Sequence, residues 1–151
     1  MNIKNNNFVK YIRNKENVLA IIIREPFSKE GIEFFTPDEY SQQVGYMKRP
    51  KGYHIKPHIH HQVSRTVSNT QEVLIIKKGK VRVDFFDAQK EYLMSEFLLK
   101  GDLIILISGG HGFFMEKQSE IFEVKQGPYM EEKDKEKFDT ISSDMVIIKR
   151  D

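Results

Sequence analysis

The sequence contains no cysteine and has no long hydrophobic run. Without cysteine the chain can form neither a disulfide nor a thiolate zinc site, so nitrogen and oxygen atoms must hold any metal ion. The longest apolar runs, at 19–23 and 103–107, are too short to span a bilayer, and the polar N-terminus lacks a signal-peptide core. We therefore expect a cytoplasmic protein with no membrane partner.

Neither sign of charge is in large excess. The 24 Lys and Arg residues nearly balance the 22 Asp and Glu residues, and no basic stripe is interleaved with aromatic side chains, so we expect no nucleic-acid partner. A chain of 151 residues is long enough for one domain with a sizeable core, and we expect a single domain over 1–151. Residues 1–7 are polar and rich in asparagine, which predicts a disordered leader.

Short apolar and β-branched runs separated by turn residues occupy most of the chain, which is typical of an all-β sandwich or barrel. The expected strands read VLAIII, GIEFF, VGYMK, GYHIKPHIH, QEVLIIKK, KVRVDFFD, EYLMSEFLL, DLIILI, GFFME and EIFEVKQ. The stretch TPDEYSQQ, at 36–43, favours a short helix. Residues 128–151 form an expected C-terminal extension, in which a charged helical turn or loop precedes an edge strand, MVIIKR.

Histidine is concentrated in two windows, and this clustering indicates a metal site. The windows contain His54, His58, His60 and His61 and, some fifty residues later, His111 alone. The period of two in His58-Ile59-His60 would place both rings on one face of a strand. Glu72 begins the next apolar run and His111 follows a later one, so a closed barrel would bring both to the same ion. Three imidazoles and one carboxylate suit Mn, Fe, Co, Ni or Zn and leave coordination positions open for chemistry.

The same residues resemble the first motif of the cupin superfamily. Five residues separate Gly52 from His58-Ile59-His60, and six separate Glu72 from Gly79, as in that motif. The resemblance covers residues 43–127 and implies a double-stranded β-helix, also called a cupin or jelly-roll barrel, with the metal inside and usually a homodimer.

The second cupin motif is matched more loosely. It corresponds to Gly101-Asp102 followed by Gly109, Gly110 and His111. The usual proline is absent near Ile107, and Met115 stands where an asparagine is common. The gap between His60 and Glu72 is also longer than usual in the family and forms an extra loop, 61–71.

Three further residues are candidates for substrate binding. Arg65 lies in the extra loop, where its guanidinium would match a carboxylate or phosphate, although an exposed loop arginine is an equal alternative. Arg82 would line the barrel or form an outward salt bridge. Tyr129 would cap the barrel and supply a phenolic acid, but tyrosine is also common at such corners. His54 and His61 are better interpreted as surface or supporting residues than as ligands.

The resemblance implies a metal-binding cupin that acts on a small polar or anionic molecule such as a sugar or sugar nucleotide. Cupins of this size resemble isomerases, epimerases and small dioxygenases, and the fold analogy suggests surface-carbohydrate synthesis. Two alternatives stay open. One is a non-catalytic ligand-binding cupin. The other is a metal-independent sugar-nucleotide isomerase or epimerase that uses His58 or His60 as base and Tyr129 as acid.

Overall fold

The computed structural model describes residues 7–128 and 135–148, and nearly all of their regular structure is β-strand. The strands are β1 (Val9–Asn14), β2 (Asn17–Ile23), β3 (Gly31–Phe34), β4 (Gly45–Lys48), β5 (Glu72–Lys78), β6 (Lys80–Phe86), β7 (Tyr92–Leu99), β8 (Leu103–Leu106), β9 (Gly110–Met115) and β10 (Glu120–Lys125). The helical structure in these ranges is one 3-10 turn, Ser143–Met145. No helix within them is long and apolar enough to cross a membrane. The predicted all-β class is confirmed.

The chain divides into two compact units. The first unit consists of Met1–Pro26 together with Asn69–Asp151, and the second consists of Phe27–Ser68. The second unit contains the antiparallel pair β3 and β4, beside which Phe27 packs edge-on against Phe35 and Tyr46. The other eight strands belong to the first unit. The expectation of a single domain stays a prediction.

Two antiparallel sheets form the first unit. The larger sheet has the order β1-β2-β8-β5-β10, and the smaller has the order β7-β6-β9. Strand β5 pairs with β8 on one side and β10 on the other, whereas β6 pairs with β7 and β9. Consecutive strands β5 and β6 therefore lie in different sheets, as in a sandwich or jelly roll.

Side chains from both sheets share one hydrophobic core. Ile76 and Ile104 come from the larger sheet, and Val83, Phe85 and Leu98 come from the smaller one. All five are at most 1% exposed. Because side chains alternate along a strand, these residues define the inner face of each sheet, and any other residue in the same register points inward.

A network of charged side chains connects the two sheets. Glu96 of β7 binds Lys10 of β1 at 2.7 Å and Arg24, just after β2, at 3.0 Å. Arg24 also binds Asp102 at 2.9 Å. Glu96 and Asp102 are both buried, so these partners compensate the cost of removing their charges from water.

The C-terminal segment, which we define as residues 135–148, packs against the smaller sheet. The Phe138 ring contacts Phe86 edge-on with centroids 5.0 Å apart. The Ser95 N–H donates to the Ile147 carbonyl at 2.8 Å, and the Ile147 N–H donates to the Tyr92 hydroxyl at 2.9 Å. The Phe138 ring thus covers Phe86, whereas the backbone bonds of Ile147 lie along the free edge of β7, and Ser95 between them is completely buried.

Several local predictions were wrong. The run GYHIKPHIH forms no strand, because Pro57 lacks a donor and no sheet buries a face of residues 53–61, which are all exposed. The stretch at 36–43 forms no helix but a single turn closed by the Tyr40 N–H and the Pro37 carbonyl. Strand β1 was not predicted, since its pattern is short and partly polar.

The expected terminal structures are only partly described. Within the described part of MVIIKR, Ile148 makes an isolated parallel bridge to Ser95, and residues 135–138 have no regular structure. The leader, except Asn7, and residues 129–134 and 149–151 of the C-terminal extension lie outside the described residues.

Candidate metal centre

Glu72 and His111 both point into the space between the two sheets. Glu72 is the first residue of β5 and shares the face of Leu74 and Ile76, which belong to the core. His111 is the second residue of β9 and lies opposite Phe85 in the pairing of β9 with β6. Because directly opposite residues of an antiparallel pair share a face, His111 also points inward. The topology thus brings together two residues that are 39 positions apart in sequence.

The two side chains are in direct contact. The His111 Nε2 atom lies 3.1 Å from the Glu72 Oε2 atom, and their side chains are 28% and 16% exposed respectively. This hydrogen bond lowers the pKa of the Glu72 carboxyl, against the opposing effect of burial, and the positive charges of Lys125 and Lys135 lower it further. The carboxylate is therefore held in its ionised form, which is the form that binds metal ions.

The spacing of this pair fits two ligands of one ion. Atoms bound at about 2.1 Å and at right angles to each other around one metal lie about 3 Å apart. The distance of 3.1 Å between His111 Nε2 and Glu72 Oε2 matches that geometry. Imidazole nitrogen and carboxylate oxygen are also donors that Mn, Fe, Co, Ni and Zn accept. Glu72 and His111 could therefore hold such an ion with little rearrangement.

Lys125 borders the same carboxylate on its other side. In the pairing of β10 with β5, Lys125 lies directly opposite Glu72, and its Nζ atom is 3.7 Å from Glu72 Oε1. The same ammonium group binds Glu123 at 3.0 Å. One oxygen of Glu72 thus contacts an imidazole, and the other is close to an ammonium group. Lys125 was not among the residues predicted from sequence, because alternation along β10 favours the apolar Phe122 and Val124 as the inward residues, whereas the structure exposes both.

His58 and His60 are neighbours in the second unit. Their ring centroids are 5.1 Å apart, and His58 Nδ1 lies 2.9 Å from the Lys56 carbonyl. Both belong to an exposed stretch without strand pairing, so the proximity arises from the local chain and not from a shared strand face. Within residues 7–128 and 135–148, no three His, Asp or Glu side chains form a group that could hold a metal ion. Two residues of the predicted set, His58 and His60, belong to the second unit, and the other two belong to the first; the set of four stays a prediction.

The remaining predicted site residues differ in their exposure and in their contacts. Arg65, like His54 and His61, is exposed in the second unit. Arg82 is buried on the face of β6 opposite the core, where it binds Asp84 at 2.8 Å and lies over the Phe114 ring, so the alternative of a salt bridge describes it better than a place inside the barrel. Tyr129 lies outside the described residues.

Comparisons with known proteins found no relative of this chain. No protein family model matches the chain, and neither a curated protein nor a solved structure matches it.

Proposed function

We propose that this chain is a metal-binding protein of the cupin type that acts on a small polar or anionic molecule. Its metal is a divalent transition ion, Mn, Fe, Co, Ni or Zn, held by His58, His60, Glu72 and His111. The observation that carries the proposal is the inward-facing contact between Glu72 and His111 at 3.1 Å. The two motif-like spacings around these four residues supply the other support.

The proposed fold is a double-stranded β-helix. Its support is the pairing pattern of the first unit, in which β5 lies between β8 and β10 while β6 lies between β7 and β9. Glu72 at the start of β5 and His111 at the start of β9 face inward, which is where a barrel would hold an ion. A homodimer, the usual form of such barrels, is part of the same proposal and is tested by sedimentation.

The bound ion would act as a Lewis acid that polarises an oxygen atom of the ligand. Glu72 supplies negative charge to the ion, and His111 fixes its position from the opposite sheet. The hydrophobic core behind both side chains excludes water from one side of the site. By analogy of fold alone, the ligand class would be a sugar or sugar nucleotide.

Metal analysis tests the proposal. Protein purified without added metal or a histidine tag is analysed for elements, together with His58→Ala, Glu72→Gln and His111→Ala. We expect stoichiometric metal in the parent and a loss in all three variants, because each removes one of four ligands. Matched controls are His54→Ala, from the same histidine window, and Glu120→Gln, an exposed carboxylate near the start of β10. Both controls should retain the metal.

Each contrary result has a distinct meaning. A parent protein without metal, even after incubation with each candidate ion, would refute the metal proposal. If only Glu72→Gln and His111→Ala lost the ion, the metal would be held without His58, and the four-ligand set would be wrong.

A metal-independent acid or base function is a second candidate. The carboxylate of Glu72 lies 3.1 Å from His111 Nε2 and orients the imidazole, as such pairs do in acid-base catalysis. This observation favours His111 as the base over His58 or His60. Activity that survives complete chelation and is lost in His111→Ala would support this candidate over the metal site.

A further inference from the structure

The first four residues of the C-terminal segment, 135–138, lie beside the candidate site, and we call them the strap. At one end of the strap, the positive charge of Lys135 is close enough to Glu72 to lower the pKa of its carboxyl. At the other end, the Phe138 ring lies against Gly110, the residue that precedes the site histidine in β9. The strap therefore extends between the side chain that contacts this histidine and the histidine's neighbour in the chain.

Phe138 is the residue that anchors the strap to the smaller sheet. Its ring packs edge-on against Phe86 with centroids 5.0 Å apart. A Cβ atom at Gly110 would lie 3.0 Å from Phe138 Cζ, so the ring occupies space that only a residue without a side chain leaves open. The strap also contains an ion pair between Glu136 and Lys90 at 2.7 Å, but both side chains are exposed, and such pairs contribute little.

The strap has few buried contacts. All four of its residues are exposed, and even the anchoring Phe138 is 36% exposed. The side chains of His111 and Glu72 beside it are less accessible, at 28% and 16%. A segment with so few buried contacts separates from its sheet without global unfolding. Its separation would uncover side chains that are partly buried while it is in place.

We propose that residues 135–138 form a strap across the candidate site and that release of Phe138 from Gly110 and Phe86 admits solutes to His111. The strap in place shields the imidazole, and the released strap exposes it. This inference goes beyond the proposed function and does not depend on whether the site binds a metal or acts as an acid and base, because it concerns only access to the side chain.

Chemical modification of histidine tests the strap. The wild type, Phe138→Ala, Phe138→Leu and Met145→Ala are treated with diethyl pyrocarbonate at about pH 8, above the ordinary imidazole pKa of about 6.5, so that the rate follows access. Mass spectrometry measures the rate at His111, with the exposed His54 as internal standard. A chelator is present throughout, so that a bound ion cannot shield the imidazole. Met145 is the matched control, since it is exposed in the same segment but outside the strap.

We expect His111 to react more slowly than His54 in the wild type, because the strap shields it. Phe138→Ala should raise the rate at His111 about threefold or more, since loss of an aromatic contact increases the released fraction by about that factor. Phe138→Leu keeps an apolar side chain and should give a smaller rise. The rate at His111 in Met145→Ala, and the rate at His54 in every protein, should stay at the wild-type value.

Leu98→Ala separates release of the strap from unfolding. Leu98 lies in the core, so its truncation destabilises the fold without removing a contact of the strap, and the rate at His111 should not change. A rise in Leu98→Ala as large as in Phe138→Ala would mean that access comes from unfolding, and the strap would be overturned. An unchanged rate at His111 in Phe138→Ala would overturn it too, as would equal rates at His111 and His54 in the wild type. Failure of the metal proposal would leave this comparison intact, because every rate is measured with the chelator present.

Discussion

At the residue scale, Arg82 shows how register determines the role of a charged side chain. It alternates with Val81 and Val83, which face the core, so its guanidinium lies on the opposite face of β6. Asp84, two residues further along, shares that face and accepts hydrogen bonds from Arg82 Nε at 2.8 Å and from a terminal guanidinium nitrogen at 3.1 Å. The Ser95 hydroxyl also donates to Asp84.

Replacing Asp84 by alanine should destabilise the protein strongly. The change leaves the Arg82 charge buried without its bidentate partner, and such a loss costs about 3–5 kcal/mol. The free energy of unfolding from chemical denaturation measures the effect. As a control, Glu120→Ala breaks the exposed ion pair with Lys77, which should cost less than about 1 kcal/mol. If Asp84→Ala and Glu120→Ala lowered the free energy of unfolding equally, the Arg82 charge would not depend on Asp84 for its stabilisation.

Gly79 illustrates a residue whose identity has a conformational reason. Its φ angle is +96°, in the turn between β5 and β6, and a Cβ atom there would lie 2.4 Å from the Gln118 carbonyl oxygen. Only glycine fits both restrictions. The spacing between Glu72 and Gly79 is visible in the sequence. The close approach of the Gln118 carbonyl is not, because it depends on a segment that is distant along the chain.

At the scale of elements, the C-terminal segment has fewer buried contacts than the strands beneath it. Most of residues 135–148 are exposed, whereas every residue from Val81 to Phe86 of β6 is buried. The segment is held mainly by Phe138 and by the hydrogen bonds around Tyr92, Ser95 and Ile147. Elements with few buried contacts open locally without global unfolding.

Tyr92→Phe should loosen the C-terminal segment selectively. The substitution removes the hydroxyl that accepts the Ile147 N–H at 2.9 Å and hydrogen-bonds to Ser95 Oγ at 2.7 Å. Amide hydrogen exchange should accelerate at Ile147, and the free energy of global unfolding should fall by only about 1 kcal/mol. Faster exchange in β6 to the same extent would mean that the segment and the sheet unfold together, contrary to this expectation.

At the scale of the whole molecule, the chain consists of two compact units of different character. The first unit contains two sheets around one core, and the second contains a single two-stranded sheet. The side chains of the candidate metal set are divided between these units. Glu72 and His111 are fixed by strands on either side of the core, and His58 and His60 belong to an exposed stretch.

Leu98→Ala should weaken both sheets of the first unit together. Leu98 is fully buried on β7 and belongs to the core shared by the two sheets. Truncating such a leucine costs about 2–5 kcal/mol. Hydrogen exchange should therefore lose protection in β8 of the larger sheet as well as in β6. The exposed Leu99, its neighbour on the same strand, provides the control, since Leu99→Ala should change stability by a small fraction of that amount. Loss of protection confined to the smaller sheet would show that the two sheets do not share one cooperative core.

The sequence by itself determined the all-β class and most of the strands, because alternating apolar runs and turn residues are local signals. It also singled out Glu72 and His111, through their spacing to glycines and to apolar runs. Only the tertiary structure decided that these two side chains meet, that Lys125 joins them, and that Arg82 lies away from the core, since each depends on which strands pair and in which register. The failure of residues 53–61 to form a strand has the same cause: a period of two in the sequence produces a strand only where a neighbouring edge satisfies its backbone and a core buries one face.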